Sequence, residues 1–155
     1  VVAFPHNQIK ILDYNRVVKT NLNYKKVLQV ISKNFKIAKI KNKSKKLKKG
    51  YIDMYLNNRW HLLKILKKNK ELDVKILHKN IIKKIKVNKI EYVSGINNSK
   101  FLKNFISSKK FNLAFKLFPT DINSVMKIAD KKKFMPPKST WFHPKPLDGL
   151  ISSEI

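Results

Sequence analysis

This chain has no cysteine, and only three glycines in 155 residues. The missing thiols exclude disulfides and thiolate metal sites. They fit a reducing compartment, so a cytoplasmic location is the expectation. No apolar run approaches the roughly 20 residues that cross a bilayer, so no membrane partner is expected. The start, VVAFPHNQIK, lacks the basic lead and long apolar stretch of a signal peptide. Acids are also scarce: nine Asp and Glu stand against 36 Lys and Arg, for a net charge of +27. Arginine is nearly absent as well. Only Arg16 and Arg59 occur, which leaves 34 lysines.

That last scarcity bears on the charge. A strongly basic chain points to a polyanionic partner, nucleic acid above all. Yet phosphate and base readout favour the planar fork of arginine. The lysines are spread along the whole chain and come with abundant Ile and Asn, the pattern of an A+T-rich genome. Compositional drift is therefore the first reading of the charge, and a nucleic-acid-binding surface the second.

Length fits one domain, residues 1–155, with material for a modest core. The 43% hydrophobic content is that of a globular protein. Residues 8–18 read as a strand with a polar centre. NLNYKKVLQVISKNF puts Tyr24, Val27, Leu28, Ile31 and Phe35 on one helical face, capped by Asn23. FKIAKI reads as a short strand. Residues 41–50, KNKSKKLKKG, have little to bury and read as a flexible lysine-rich loop. YIDMYLNNRWHLLKI is a hairpin turning at Asn57-Asn58. LDVKILHKNIIKKI is a helix with Val74, Leu77, Ile81 and Ile85 inward and Asp73 as cap. KIEYVSG is a strand, NNSKFLKNFISS a short helix and FNLAFKLF a strand. PTDINSVMKIAD is a helix capped by Thr120 or Asp121, with Ile122, Val125, Met126 and Ala129 inward. LDGLISSEI turns at Asp148-Gly149 and ends as a strand. The order predicts an α/β chain, with mixed α+β as the alternative: one mixed sheet and about four helices.

His6, His61, His78 and His143 offer neither an i, i+4 pair nor His-x-His, so they read as structural or solvated, and no metal is expected. No cofactor motif is legible. Asp13 sits in LDYNR, where a strand pattern breaks into polar residues. Arg16 there could grip an anion bidentately, or pair with Asp13 to tie the strand end. Asp130 ends a helix, where a carboxylate opposes the dipole unless Lys131 to Lys133 pair with it.

The stretch FMPPKSTWFHPKPLDGL, residues 134–150, holds four of the six prolines and one of the three glycines. Lys138 supplies a point charge and three donors; Ser139 and Thr140 supply hydroxyls. Such a group holds a phosphate or carboxylate, or else the prolines stiffen a connection that packs Trp141 and Phe142 into the core. It is not a Walker loop, because the glycine-rich lead-in is absent.

FPHNQIKILDYNRVV, MYLNNRW, LDVKIL, FKLFPTDINSVMKIAD and MPPKSTWFHPKPLDGL, in that order, resemble the C-terminal part of the domain of unknown function 1015 family. The resemblance runs from Phe4 to Leu150. It implies a longer whole protein, whose N-terminal half carries an Asp-Gly-His-His-Arg motif like that of ParB-like serine kinases. This chain has no such motif, and it begins with Val. It is therefore expected to be the C-terminal portion of a longer protein, with the other half as a separate chain as one arrangement. The family often accompanies serine-biosynthesis enzymes. The resemblance thus implies phosphate-ester or phosphoserine/serine phosphoryl handling in amino-acid metabolism, with a small phosphorylated or anionic metabolite as partner. It carries over Arg16, Lys138, Ser139, Thr140 and Lys145 as anion-binding candidates, with Asp13, Asn15, Asp130 and Gly149 in support. The chain also departs from the pattern. Only KVNKI stands between Ile85 and Glu91, and Ile96 replaces a second glycine. A nucleic-acid-binding module and a non-functional remnant are the alternatives.

Overall fold

The computed structural model describes residues 5, 7–41, 47–67, 71–96, 99–108 and 111–143. In chain order it forms β1 (Lys10–Leu12), β2 (Tyr14–Thr20), α1 (Tyr24–Ser32), β3 (Phe35–Ile40), β4 (Tyr51–Leu56) and β5 (Arg59–Ile65). There follow α2 (Asp73–Leu77), β6 (Val87–Ser94), α3 (Ser99–Ser107), β7 (Leu113–Lys116), α4 (Ile122–Asp130) and β8 (Trp141–His143). Six strands pair in the order β3-β5-β4-β7-β2-β6, and β1 pairs with β8 in a separate ribbon. The architecture is mixed α+β in a single domain. Every pairing is antiparallel, so the main sheet is not mixed in direction.

Local chemistry accounts for the elements. Asn57 and Asn58 take φ of 51° and 58°, the two positive values a type I′ hairpin turn requires. The Asn23 side chain accepts from the Lys26 amide at 2.9 Å and caps α1. The Asp121 carboxylate accepts from the Ser124 amide at 2.8 Å and starts α4. Asp73 departs from its expected role as cap. Its Oδ2 accepts from the Gly50 amide at 2.7 Å, and Leu72 stands at the N-cap with no side-chain bond. The carboxylate thus ties the loop before β4 instead of its own helix. After α2 the chain widens into a π-helical turn, His78–Ile82.

The sheet is buried on both faces because successive strand residues point to opposite sides. On one face Val18, Ile52, Met54, Leu63, Leu113 and Phe115 pack against Val27 and Ile31 of α1 and Leu77 and Ile81 beyond. On the other, Val17, Tyr55, Trp60 and Ala114 pack against Leu102 of α3. His61 is buried among the first group, with Nε2 at 3.3 Å from the Tyr24 hydroxyl. α4 does not match its expected role. None of its residues is buried, and Met126 is 50% exposed. Its apolar spacing is helical, but it lies outside the two layers that cover the sheet. Residues 42–46 of the expected flexible loop, and the expected final turn and strand, lie outside the described residues.

Candidate functional site

Some of the site candidates meet where β2 begins: Arg16 and the Lys138 backbone. Alternation on β2 sends Arg16 to the face of Val18 and Asn15 to the face of Val17. Register sets Arg16 opposite Tyr92 of β6, and the guanidinium carbon lies 5.6 Å from the Tyr92 ring centroid. Arg16 is only 3% exposed. Nη1 donates to the Tyr14 carbonyl at 2.6 Å and Nη2 to the Lys138 carbonyl at 3.1 Å. Among the described residues no ion pair includes Arg16, so the Asp13–Arg16 pair does not form. Burial brings its pKa down to about 10, opposed by Tyr92 and Asp13. It is a buried cation held by neutral carbonyls, with donors of its five to spare.

Residues 136–143 lie over this cation as a strap. Lys138 takes φ of 54°, a left-handed conformation that costs a non-glycine residue about 1 kcal/mol. The Ser139 hydroxyl, largely buried, donates to the Pro136 carbonyl and closes the turn. Lys138 Nζ sits 5.7 Å from the Tyr14 ring centroid. Trp141 meets Tyr14 edge to face at 5.3 Å, and β8 runs on against β1. Phe142 stays 40% exposed, so it does not pack into the core as one sequence reading had it. Thr140 is half-buried in the strap. Asp130 is exposed at the end of α4, and no ion pair among the described residues links it to Lys131, Lys132 or Lys133. Lys145 and Gly149 lie outside the described residues.

The opposite face of β2 carries a second polar group. Asp13 is buried at the break between β1 and β2. Its Oδ2 accepts from the Leu117 amide at 3.3 Å, and its carbonyl accepts from the Gly95 amide at 2.8 Å. Burial pushes its carboxyl pKa up; hydrogen bonds, Lys116 and Arg16 oppose this. Asn15 is fully buried, and neither polar atom of its amide has a hydrogen-bond partner among the described residues. A buried amide left unpaired costs about 1–3 kcal/mol.

The raised Asp13 pKa has a pH consequence. The folded chain keeps the proton to higher pH than the unfolded chain, whose carboxyl has a pKa near 3.8. This stability is full below that value and is lost as pH rises through the folded pKa. Asp13→Asn, which can still accept from Leu117, is therefore expected to melt higher than the parent at pH 7. The difference should close below about pH 4. Melting curves across pH decide it: a lower-melting variant at pH 7 would mean that the ionised carboxylate is itself stabilising.

Sequence reasoning missed Tyr92 and the contact of Gly95 with Asp13, and it read His78 as structural or solvated. Tyr92 faces Arg16 only through strand register. His78 opens the π turn; burial lowers its pKa first, then Lys83 and Arg16. Gly95 was visible as one of three glycines, and its role is spatial: a Cβ there would lie 2.6 Å from both the Asp13 carbonyl oxygen and Oδ1. Among the described residues no three His, Asp or Glu side chains are grouped to hold a metal, and no helix is long and apolar enough to cross a membrane.

Solved structures share this fold at low identity. A free serine kinase in complex with AMP matches with TM-score 0.56 and 14% identity, over 88% of this chain and 54% of its own. The same kinase type in complex with ADP matches with TM-score 0.53 and 15% identity, over 88% and 54%. A conserved hypothetical protein from Pyrococcus furiosus matches with TM-score 0.57 and 12% identity, over 86% and 56%. The chain thus spans about half the length of the structures it resembles. No curated protein matches it. The family model described as protein of unknown function (DUF1015) matches residues 1–88. That is the N-terminal part of this chain, shorter than the Phe4 to Leu150 span of the sequence resemblance, and it leaves the strap outside. It covers more than half of the residues, from LDYNR through the hairpin to the π turn, and the chain belongs to the DUF1015 family.

Proposed function

We propose that this chain is the anion-holding part of a phosphate-ester protein of serine metabolism, with Arg16 as the central cation. The observation that carries the reading is Arg16 itself: a guanidinium 3% exposed, with no carboxylate in ion-pair contact among the described residues, Asp13 acting on it only at longer range. A buried charge normally finds an opposite charge. A phosphate or carboxylate from a ligand supplies it, in the bidentate geometry the fork is built for. Lys138, whose carbonyl meets Arg16, is followed in the same strap by Ser139 and Thr140, which this reading adds as hydroxyl donors. The fold likeness to free serine kinases bound to AMP and ADP supports a phosphorylated small molecule as ligand. Phosphoryl transfer by the whole assembly would need the half of the fold that this chain does not span, from a longer chain or a separate one. Asp13 and Asn15 are supporting residues in this reading.

The test is calorimetric titration with O-phosphoserine, comparing the parent with Arg16→Lys. The parent should bind with a Kd below about 1 mM. The lysine variant keeps the charge and loses the fork, so it should bind at least tenfold more weakly. Equal affinities would assign the binding to the general positive charge and sink the proposal.

One feature favours the nucleic-acid reading. A groove of about 330 Å³ is lined by Lys39, Ile40, Lys41, Asn58, Arg59 and Trp60. If it tracks a phosphate backbone, single-stranded RNA should bind at 50 mM salt and weaken steeply by 200 mM. Negligible binding at 50 mM salt removes this reading.

A further inference from the structure

We infer that the Pro136–His143 strap is a displaceable cover that competes with the ligand for Arg16. The inference rests on the anion-binding reading above and adds how that site opens. In the closed chain each terminal nitrogen of the Arg16 fork already has an acceptor, the Tyr14 carbonyl at 2.6 Å and the Lys138 carbonyl at 3.1 Å. The Lys138 carbonyl oxygen stands where an anionic oxygen would bind. With Arg16 only 3% exposed, an anion cannot reach the guanidinium while that carbonyl remains in place.

Three features make the strap the part that yields. Lys138 is held at φ 54°, which a lysine abandons at a gain once the strap lifts. The strap is anchored by β8, which pairs with β1 over three residues in a ribbon outside the main sheet. A lone two-stranded ribbon is marginal. The strap is further seated by the edge contact of Trp141 on Tyr14 at 5.3 Å and by Lys138 Nζ over the same ring at 5.7 Å. Arg16, by contrast, sits on β2, bonded on both sides by β6 and β7. An ionised acceptor adds the attraction of opposite charges to the guanidinium bond, which a neutral carbonyl lacks, so an arriving anion can take the place of Lys138. In the open state Arg16 keeps the Tyr14 carbonyl and gains the ligand, while the strap and Trp141 swing out to solvent.

Two measurements test this. The chain has two tryptophans, so Trp60→Phe leaves Trp141 as the only one. Titrating that variant with O-phosphoserine should shift Trp141 emission to the red, with a midpoint equal to the calorimetric Kd. The absence of cysteine also allows a clean lock. Ile11 and Phe142 are cross-strand partners, so an Ile11→Cys, Phe142→Cys variant can pin β8 to β1. The oxidised form should bind O-phosphoserine at least tenfold more weakly than the same protein reduced, and reduction should restore parental affinity. Binding with unchanged Trp141 emission, or equal affinity in the two redox forms, overturns the cover and leaves the anion site standing. No binding by the parent chain overturns both.

Discussion

Gly95→Ala is expected to cost about 3 kcal/mol of folding stability, one of the largest effects of a single methyl group in this chain. The added Cβ would stand 2.6 Å from the Asp13 carbonyl oxygen and 2.6 Å from its Oδ1. Oδ1 could swing away only by pulling Oδ2 off the Leu117 amide. The carbonyl oxygen is backbone and already accepts from the Gly95 amide at 2.8 Å, so it cannot retreat without breaking that bond. Either movement spreads, because Asp13 joins the end of β6, the end of β7 and the step from β1 to β2. For a domain of this length, 3 kcal/mol lowers the melting temperature by roughly 6–12 °C. Gly95→Val should do worse. A calorimetric melt that shifts by less than about 2 °C would show that the β6 end gives way freely and that Asp13 is not a fixed joint.

This joint also marks the limit of what the sequence could tell. Elements with a local cause were legible. The hairpin followed from two adjacent asparagines able to take positive φ, α1 from a cap and a helical stripe, and α4 from Asp121. What failed had a non-local cause. Asp73 looked like a cap because helix signals are read from neighbours in sequence, whereas its partner, Gly50, lies 23 residues away. The apolar stripe of α4 predicted burial. A stripe says only that a helix has one apolar face, not that an element of this chain covers it.

The site divides in the same way. The MPPKST stretch and LDYNR were each conspicuous, one for proline and hydroxyls, the other for polar residues breaking a strand. Their meeting depends on a hydrogen bond spanning 122 residues, and the partner atom on the strap is a carbonyl, which every residue has. Side-chain chemistry therefore pointed to Lys138 for its ammonium, while the structure uses its backbone. Tyr92 was hidden for a related reason. Nothing in KIEYVSG distinguishes it until the register puts it across from Arg16.

Arg16→Met should separate what the guanidinium does for folding from what it does for binding. Methionine has comparable length, fills irregular apolar space and needs no hydrogen-bond partner. Replacing a buried charge by an apolar side chain of similar volume is commonly neutral or stabilising, because the desolvation cost of the charge disappears with it. Here that cost is visible in the Arg16 pKa, brought down to about 10 by burial. The change strands no carboxylate among the described residues, because none pairs with Arg16. It leaves the Tyr14 and Lys138 carbonyls without their donor, a loss of about 1 kcal/mol each that offsets the relief. The net change in stability should fall within about 2 kcal/mol of zero. Binding should not survive. Two charge-assisted bonds from one fork are worth about 3 kcal/mol together, so O-phosphoserine affinity should fall about 100-fold. The pairing of these outcomes is the informative result. A variant that melts like the parent and no longer binds places Arg16 in the ligand's path. A variant that unfolds readily, while its folded fraction binds as before, would make the guanidinium a fastener for the strap and nothing more.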